Sequence, residues 1–153
     1  MSVNPIPEGY HSLTPYLYVK DARKFLEFIK NAFDAEVKSL IEYEGVVGHA
    51  EILIGNSMLM LSEATKDMNP PQEISLYLYV PDCDATYKKA LDAGATSERE
   101  PADQFYGDRN SGVKDFAGNT WWIATHVENI SSEEMERRIE EDKKNMSEKK
   151  DKQ

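Results

Sequence analysis

Two acid–base side chains, His49 and Glu51, lie two positions apart in a stretch that alternates polar and apolar residues. Ala50, Ile52 and Ile54 are the apolar alternates, so in a strand the imidazole and the carboxylate would share the opposite face. Such a pair could transfer protons or form half of a displaced metal site. The same alternation is typical of the polar rim of a sheet, and a single pair on one strand favours that second interpretation.

Aromatic side chains recur in two similar segments. Residues 16–21 are Tyr-Leu-Tyr-Val-Lys-Asp and residues 77–82 are Tyr-Leu-Tyr-Val-Pro-Asp, a match at five of six positions. Strand alternation places the tyrosines on one face and the aliphatic residues on the other. The candidate ligand-lining aromatic residues are Tyr16, Tyr18, Tyr77, Tyr79 and Trp122. The alternative is the ordinary preference of sheets for aromatic residues.

A polar segment, residues 103–109, adds Tyr106 and Arg109 to the candidate ligand-binding residues. The Arg109 guanidinium could hold an anionic group of a ligand, or it could pair with Asp103 or Asp108, and surface pairing is the commoner arrangement. Strand alternation places the side chain of His126 on the same face as that of Trp122. It either closes the ligand cavity or lies in water at a strand end.

The repeat predicts the fold. Each matched segment is followed by a helical spacing of apolar residues and then by a hairpin, and Asp21 and Asp82 stand where a helix N-cap would. The hairpin turns, at Gly55 and Gly118, lie 63 residues apart, and the matched segments lie 61 apart. One such unit is too small to bury a core. We therefore predict an α+β fold in which two units form a curved mixed sheet, with the helices on its convex face and a ligand-sized concavity between the units.

The chain divides into one domain and a tail. The domain is expected over residues 1–130, with module one at about 10–63, a linker at 64–73 and module two at about 74–127. Residues 131–153 are highly charged. Ser131 and Glu134 have the spacing of a capping box, which predicts a short helix that frays into a disordered end.

Composition excludes several classes of protein. The 153 residues carry a net charge of −10, whereas nucleic-acid binding needs a basic surface. No apolar run reaches the roughly 18–20 residues that a membrane span needs. The sequence start has no signal-peptide pattern, and Cys83 is the single cysteine. We therefore expect a cytoplasmic protein that binds a small molecule and neither nucleic acid nor membrane. The acidic balance would suit a cationic ligand.

The repeat and several short motifs resemble the vicinal-oxygen-chelate superfamily, which includes glyoxalase I, bleomycin-resistance proteins and extradiol dioxygenases, and especially its PhnB-like, glyoxalase-like branch. The motifs are residues 15–17, 48–51, 103–109 and 121–126, and the turn of residues 115–119. The family usually has Asp-Pro-x-Gly-Asn at this turn, whereas this chain has Asp-Phe-Ala-Gly-Asn. The resemblance implies paired βαβββ modules, a homodimer and, in the enzymes, a divalent metal in the concavity.

The residues at the family's metal-binding positions are unsuited to a metal. The resemblance places these positions at Thr14, Ser75, Trp122 and either Leu59 or Met60, and none of these is a good ligand for a divalent cation. We therefore predict no metal and no other cofactor at the usual site. A divalent metal would need a non-standard site.

The resulting functional hypothesis is a binding protein that sequesters a small organic ligand in an aromatic-lined concavity, as bleomycin-resistance proteins do. The alternative is a lyase, isomerase or dioxygenase-like enzyme whose displaced site uses His49 and Glu51, with Glu63 or His126 as further candidates. A third possibility is a structural role in which the acidic body or the charged tail binds a partner protein.

Overall fold

The computed structural model describes residues 2–153, in which one unit occurs twice. Module one consists of β1 (Tyr16–Val19), α1 (Ala22–Phe33), β2 (Glu36–Tyr43), β3 (Val46–Ile54) and β4 (Ser57–Glu63). Module two consists of β5 (Ser75–Tyr79), α2 (Cys83–Asp92), β6 (Thr96–Asp103), β7 (Asp108–Lys114) and β8 (Thr120–His126). A third helix, α3 (Ser132–Asp151), follows. The predicted pair of βαβββ modules is confirmed.

The two helices begin at the predicted aspartates. The side chain of Asp21 accepts a hydrogen bond from the backbone N–H of Lys24, and that of Asp82 accepts one from Ala85. Each bond satisfies a backbone donor that the first helical turn leaves unpaired. The Glu63 carboxylate at the end of β4 also accepts from the backbone N–H groups of Asp21 and Ala22, at 2.8 and 2.7 Å. The first helix is therefore tied to the last strand of its own module.

Each module builds its own four-stranded mixed sheet. The strand orders are β1-β4-β3-β2 and β5-β8-β7-β6, and in each sheet the first strand runs parallel to the last while the other pairs are antiparallel. Because each first strand pairs within its own module, β1 and β5 are edge strands and no ladder joins the two sheets within residues 2–153. The modules are instead held together by contact between α1 and α2.

The core lies on the helix side of both sheets. Leu17 and Val19 are buried there, while Tyr16 on the same strand is exposed, as strand alternation predicts. The Phe33 ring of α1 lies 4.6 Å from the Trp121 ring of β8, between ring centroids, so one aromatic contact crosses the module boundary. The sheet face opposite α1 and α2 is called the outer face below.

The last hairpin turn forms without the usual proline. One oxygen of the Asp115 carboxylate accepts from the backbone N–H groups of Ala117 and Asn119, and the other accepts from the Trp121 indole at 2.9 Å. Gly118 supplies the left-handed conformation, with φ of 88°. The turn therefore depends on Asp115 and Gly118, and phenylalanine is tolerated at position 116.

The C-terminal helix is longer than the short helix predicted from the capping box. Ser131 does cap it, by accepting from the backbone N–H of Glu134 at 3.2 Å. The helix then continues over 20 residues, supported by ion pairs such as those of Arg137 with Glu134 and Glu141. Arg138 anchors it to the domain through Glu128. No helix within residues 2–153 is long and apolar enough to cross a membrane.

Candidate functional site

A buried carboxylate, Asp108, collects three hydrogen bonds on the outer face of module two. One oxygen accepts from the hydroxyls of Tyr77 and Tyr79, at 2.8 and 2.9 Å, and the other lies 2.8 Å from Nδ1 of His126. Strand register produces this arrangement, because Asp108 at the start of β7 lies directly opposite His126 at the end of β8. Asp108 is only 4% exposed, so its charge depends on these donors.

The protonation states within this group are coupled. Burial alone would raise the pKa of Asp108, but the hydrogen bonds from His126, Tyr77 and Tyr79 outweigh it and lower that pKa. Burial, assisted by the bond to Asp108, raises the pKa of Tyr77, and the bond to Asp108 raises that of Tyr79. The bond to Asp108 also raises the pKa of His126. At neutral pH the carboxylate is therefore charged and both tyrosines are protonated donors.

A buried amide extends the network to an arginine. Asn110, 1% exposed, donates from Nδ2 to the hydroxyl oxygens of Tyr77 at 3.0 Å and Tyr106 at 2.6 Å. Its Oδ1 accepts from the guanidinium of Arg99. That guanidinium lies 5.0 Å from the centroid of the Trp122 ring, within cation–π range. The Asp108 cluster, as it is called below, comprises Tyr77, Tyr79, Arg99, Tyr106, Asp108, Asn110, Trp122 and His126.

A glycine makes room for the indole in this cluster. Gly112 pairs with Trp122 on one side and Arg99 on the other. A Cβ atom at Gly112 would collide with the six-membered ring of Trp122. The indole therefore lies flat across Gly112, which brings it beside Arg99.

Arg109 does not join the Asp108 cluster. It alternates with Asp108 and Asn110 along β7, so its side chain points to the helix side of the sheet. There its guanidinium binds the Asp84 carboxylate at 2.7 and 2.9 Å and that of Asp103 at 3.2 Å. From the sequence, Arg109 could hold an anionic group of a ligand or pair with Asp103 or Asp108. The structure shows that it pairs with Asp103 and, in addition, with Asp84. These bonds raise the pKa of Arg109.

Three members of the cluster were not singled out as ligand residues from the sequence. Asp108 was named only as a possible partner of Arg109, and Arg99 and Asn110 were not named. The reason is that no strand was predicted there from the sequence, whereas β6 contains Arg99 and β7 begins at Asp108. The signal that could have found them is the alternation of Asp108, Asn110 and Gly112 opposite the apolar Val113.

Module one has a smaller polar group on its outer face. His49 and Glu51 do share that face, as predicted, and each is held by a tyrosine. The Tyr16 hydroxyl lies 3.0 Å from Nδ1 of His49, and the Tyr10 hydroxyl donates to the Glu51 carboxylate. Burial and then the bond to Glu51 raise the pKa of Tyr10 to about 12. Glu63, a further candidate, is occupied in capping α1.

A cleft of about 520 Å³ lies between the modules. The module-one side comes from the segment before β1 and from the β3–β4 turn, and the module-two side comes from β5 together with Trp121. Because β5 is an edge strand, the apolar Leu76 and Leu78 and the aromatic Tyr77 and Tyr79 all border this inter-module cleft.

The predicted aromatic residues do not all meet in one cavity. Tyr77 and Tyr79 border the inter-module cleft, whereas Tyr18 borders a second cleft of about 380 Å³ beside Lys24 and Phe116. Tyr16 packs beside Tyr18, with ring centroids 5.2 Å apart, on the outer face of module one. The tyrosines therefore form two pairs, one in each module, because each first strand belongs to a separate sheet.

Residues 10–123 match the sequence family described as the Glyoxalase/Bleomycin resistance protein/Dioxygenase superfamily. This chain belongs to that superfamily. It is 31% identical over 147 residues to an uncharacterized protein of Mycobacterium bovis, with 89% of this chain and 94% of the relative covered. An uncharacterized protein of Mycobacterium tuberculosis is also 31% identical over 147 residues, and 84% of that relative is covered.

Solved structures of other proteins share the fold. TioX from Micromonospora sp. ML1 aligns with a TM-score of 0.66 at 18% identity, covering 76% of this chain and 99% of TioX. TnmS3, described as an antibiotic binding protein from Streptomyces sp. CB03234, aligns with a TM-score of 0.62 at 17% identity, covering 83% of this chain and 99% of TnmS3. At 17–18% sequence identity, the similarity to these two structures shows a shared fold.

The positions that the resemblance assigns to metal binding hold residues that do not fit a divalent cation. Tyr16 lies opposite Met60 in one sheet and Tyr77 lies opposite Trp122 in the other, so Met60 rather than the buried Leu59 corresponds to Trp122. A thioether is a soft ligand and an indole N–H only donates, and the first-strand positions, Thr14 and Ser75, offer neutral hydroxyls. Within residues 2–153 no three His, Cys, Asp or Glu side chains cluster as a metal site.

Proposed function

We propose that this protein binds and sequesters a small organic molecule in the inter-module cleft, with Tyr77 and Tyr79 as an aromatic wall. The observation that carries the proposal is that the Asp108 carboxylate fixes both hydroxyls of this wall. Side chains that are already ordered lose less entropy when a ligand binds, which favours affinity. The cleft volume, about 520 Å³, falls in the roughly 300–1,000 Å³ range of small-molecule sites.

The lining of the cleft supports an organic ligand with an apolar surface. Leu76, Leu78 and Trp121 supply aliphatic and aromatic contacts beside the two tyrosines. A cleft with few polar groups and aromatic walls is typical of such sites. The description of TnmS3 as an antibiotic binding protein is compatible with sequestration on this fold. We also propose that this chain belongs to the PhnB-like branch, and that membership is compatible with sequestration as well.

We further propose that the protein is a cytoplasmic homodimer. β1 and β5 are edge strands, and Tyr77 and Tyr79, which belong to β5, are 44% and 60% exposed. A second copy that pairs with a strand edge while leaving the outer faces and the cleft open would shield unpaired backbone groups. Sedimentation equilibrium should then give twice the 17.4 kDa chain mass, whereas the chain mass itself would contradict a dimer. Cys83 is a free buried thiol, which supports a reducing compartment.

Binding is tested by a thermal-shift screen of small aromatic compounds of different charge, followed by calorimetry on those that stabilise the protein. Tyr79→Ala should weaken binding, because it removes an aromatic wall of the cleft and leaves the core unchanged. Tyr43→Ala is the matched control, because Tyr43 is an exposed tyrosine at the end of β2 and outside the cleft. Equal affinity of the two variants, or stabilisation by none of the compounds, would contradict the proposal.

The second candidate is an enzyme with a displaced site. Its supporting observations are the Tyr16–His49 contact in module one and the His126–Asp108 pair in module two, since an imidazole oriented by a carboxylate can act as an acid or base. Metal analysis of the purified protein distinguishes the two candidates. A stoichiometric divalent ion that is lost in His49→Ala would favour the enzyme.

A further inference from the structure

Arg99 differs from the other arginines of the chain in having no carboxylate partner. Arg23, Arg109, Arg137 and Arg138 each form an ion pair with a glutamate or an aspartate. Across the described residues, 2–153, no carboxylate oxygen lies within 4.0 Å of an Arg99 nitrogen. In a protein with a net charge of −10, an arginine without a counter-ion needs an explanation.

The Arg99 guanidinium is held in place without being neutralised. Asn110 Oδ1 accepts one of its N–H groups, and the guanidinium lies over the Trp122 ring, 5.0 Å from its centroid. Asn110 is itself fixed, because it is 1% exposed and its Nδ2 donates to two tyrosine hydroxyls. A planar guanidinium held in this way keeps several N–H groups free for a ligand.

The hydrogen-bond balance of the Asp108 cluster favours a ligand that accepts hydrogen bonds. The Tyr77 and Tyr79 hydroxyl protons are already donated to Asp108, whose two oxygens are both engaged. The Tyr106 oxygen accepts from Asn110, and its hydroxyl also interacts with that of Tyr77. The donors that remain for a ligand are therefore the N–H groups of Arg99. No charged acceptor of the cluster remains to attract a cation.

We propose that Arg99 binds the carboxylate of a planar aromatic acid at the outer face of module two. The proposal rests on the proposed binding function and names its ligand class. Guanidinium and carboxylate form a coplanar bidentate pair, and the indole of Trp122 and the ring of Tyr106 provide flat apolar surface beside it. A planar aromatic acid matches both features, whereas phosphate would match only the charge.

The acidic charge of the whole protein does not prevent this selectivity. The Debye length is about 8 Å at physiological ionic strength, so distant carboxylates are screened. Two acidic residues, Glu98 and Glu100, flank Arg99 in the sequence, but neither carboxylate lies within 4.0 Å of an Arg99 nitrogen. Glu98 is engaged by Lys114, with 3.4 Å between nitrogen and oxygen. The charge next to the bound ligand is therefore that of Arg99.

The test compares compounds of one shape and different charge. 2-Naphthoate, neutral 2-naphthamide, cationic 2-naphthamidine and inorganic phosphate are titrated into the full chain by calorimetry, with the Trp122 indole followed by NMR. We expect 2-naphthoate to bind most tightly. Arg99→Gln should weaken it at least about tenfold, because a bond between charged groups is lost. Arg99→Lys should retain part of the affinity.

Arg23→Gln is the matched control, because it removes the same charge from an exposed arginine that pairs with Glu42. It should leave the affinity for 2-naphthoate unchanged. Circular dichroism and the melting temperature show whether each variant folds, and Arg99 is exposed, so we expect it to be dispensable for folding.

The outcomes separate this proposal from the proposed function. Tighter binding of the amidine or of phosphate, or equal affinity in Arg99→Gln, overturns the carboxylate proposal while leaving cleft binding intact. Binding of 2-naphthoate that depends on Arg99 but not on Tyr79 supports the carboxylate proposal and overturns the role of the cleft. If none of the four compounds binds, the carboxylate proposal fails, and the thermal-shift screen alone decides whether the cleft binds another molecule.

Discussion

Replacing Asp108 with asparagine tests whether the cluster around it is a preorganised unit. The substitution keeps the size of the side chain but removes its charge and turns one acceptor into a donor. In the native protein that carboxylate accepts from Tyr77, Tyr79 and His126. The variant can satisfy only part of this set, so the tyrosine rings that border the inter-module cleft should lose their fixed positions.

The expected destabilisation follows from the two tyrosine bonds. A hydrogen bond to a charged group contributes about 1.5–3 kcal/mol, so the pair would contribute about 3–6 kcal/mol if fully shielded. Tyr77 and Tyr79 are 44% and 60% exposed, and water can replace Asp108 as their acceptor. We therefore expect Asp108→Asn to lower the free energy of unfolding by about 2–3 kcal/mol at pH 7.

The assay is urea unfolding followed by circular dichroism. With a slope of about 1–3 kcal/mol per molar urea, the midpoint should fall by roughly 0.7–3 M. Asp103→Asn is the control, because Asp103 is an exposed aspartate whose ion pair with Arg109 should contribute less than about 1 kcal/mol. A loss below about 0.5 kcal/mol in Asp108→Asn, or equal losses in the two variants, would refute the reasoning.

The pH dependence supplies a second, independent check. The pKa of Asp108 is lowered, so its contribution is present above about pH 3.9 and is lost as the pH falls through the folded-state value. The pKa of His126 is raised, so its contribution is present below about pH 6.5 and is lost as the pH rises through the folded-state value. In Asp108→Asn the pKa of His126 measured by NMR should fall back toward about 6.5. An unchanged value would contradict the coupling.

Three further predictions concern single positions. Gly112→Ala should displace the Trp122 indole, lower the free energy of unfolding by about 1–3 kcal/mol and change the tryptophan fluorescence. An unchanged fluorescence spectrum and an unchanged unfolding midpoint would contradict the close contact between Gly112 and the indole. Cys83 is 1% exposed and burial raises its pKa, so a thiol reagent at pH 8 should label it only after unfolding, and rapid labelling of the native protein would contradict its burial. NMR titration should find the pKa of Tyr10 at about 12 and a lower value in Glu51→Gln, though burial, the larger cause, should keep it above about 10. A Tyr10 pKa near its ordinary value in the native chain would contradict its bond to Glu51.

Features that depend on neighbours along the chain follow from the order of the amino acids alone. The repeated Tyr-Leu-Tyr-Val segments, the N-caps at Asp21 and Asp82 and the turn of residues 115–119 were predicted and are confirmed. The faces of β1 and the shared face of His49 and Glu51 also follow from alternation. These features are local, because propensity, capping and the period of two act within a few residues.

Contacts between side chains from distant segments could not be predicted in this way. Asp108 collects donors from β5 and β8, and Arg99 reaches Asn110 and Trp122 on two neighbouring strands. Such contacts depend on strand order and on register between strands. A shift of one residue turns a side chain to the other face, and this explains why Arg109 lies on the helix side, away from the tyrosines.

The separation of the tyrosines into two pairs has the same origin. Periodicity assigned each of them to the face opposite the helices, but it could not show that each first strand pairs with the last strand of its own module. That pairing makes two sheets, joined through α1 and α2, and it leaves β1 and β5 as edges. Local sequence sets the direction of a side chain relative to its strand, whereas the packing of distant segments sets what that side chain touches.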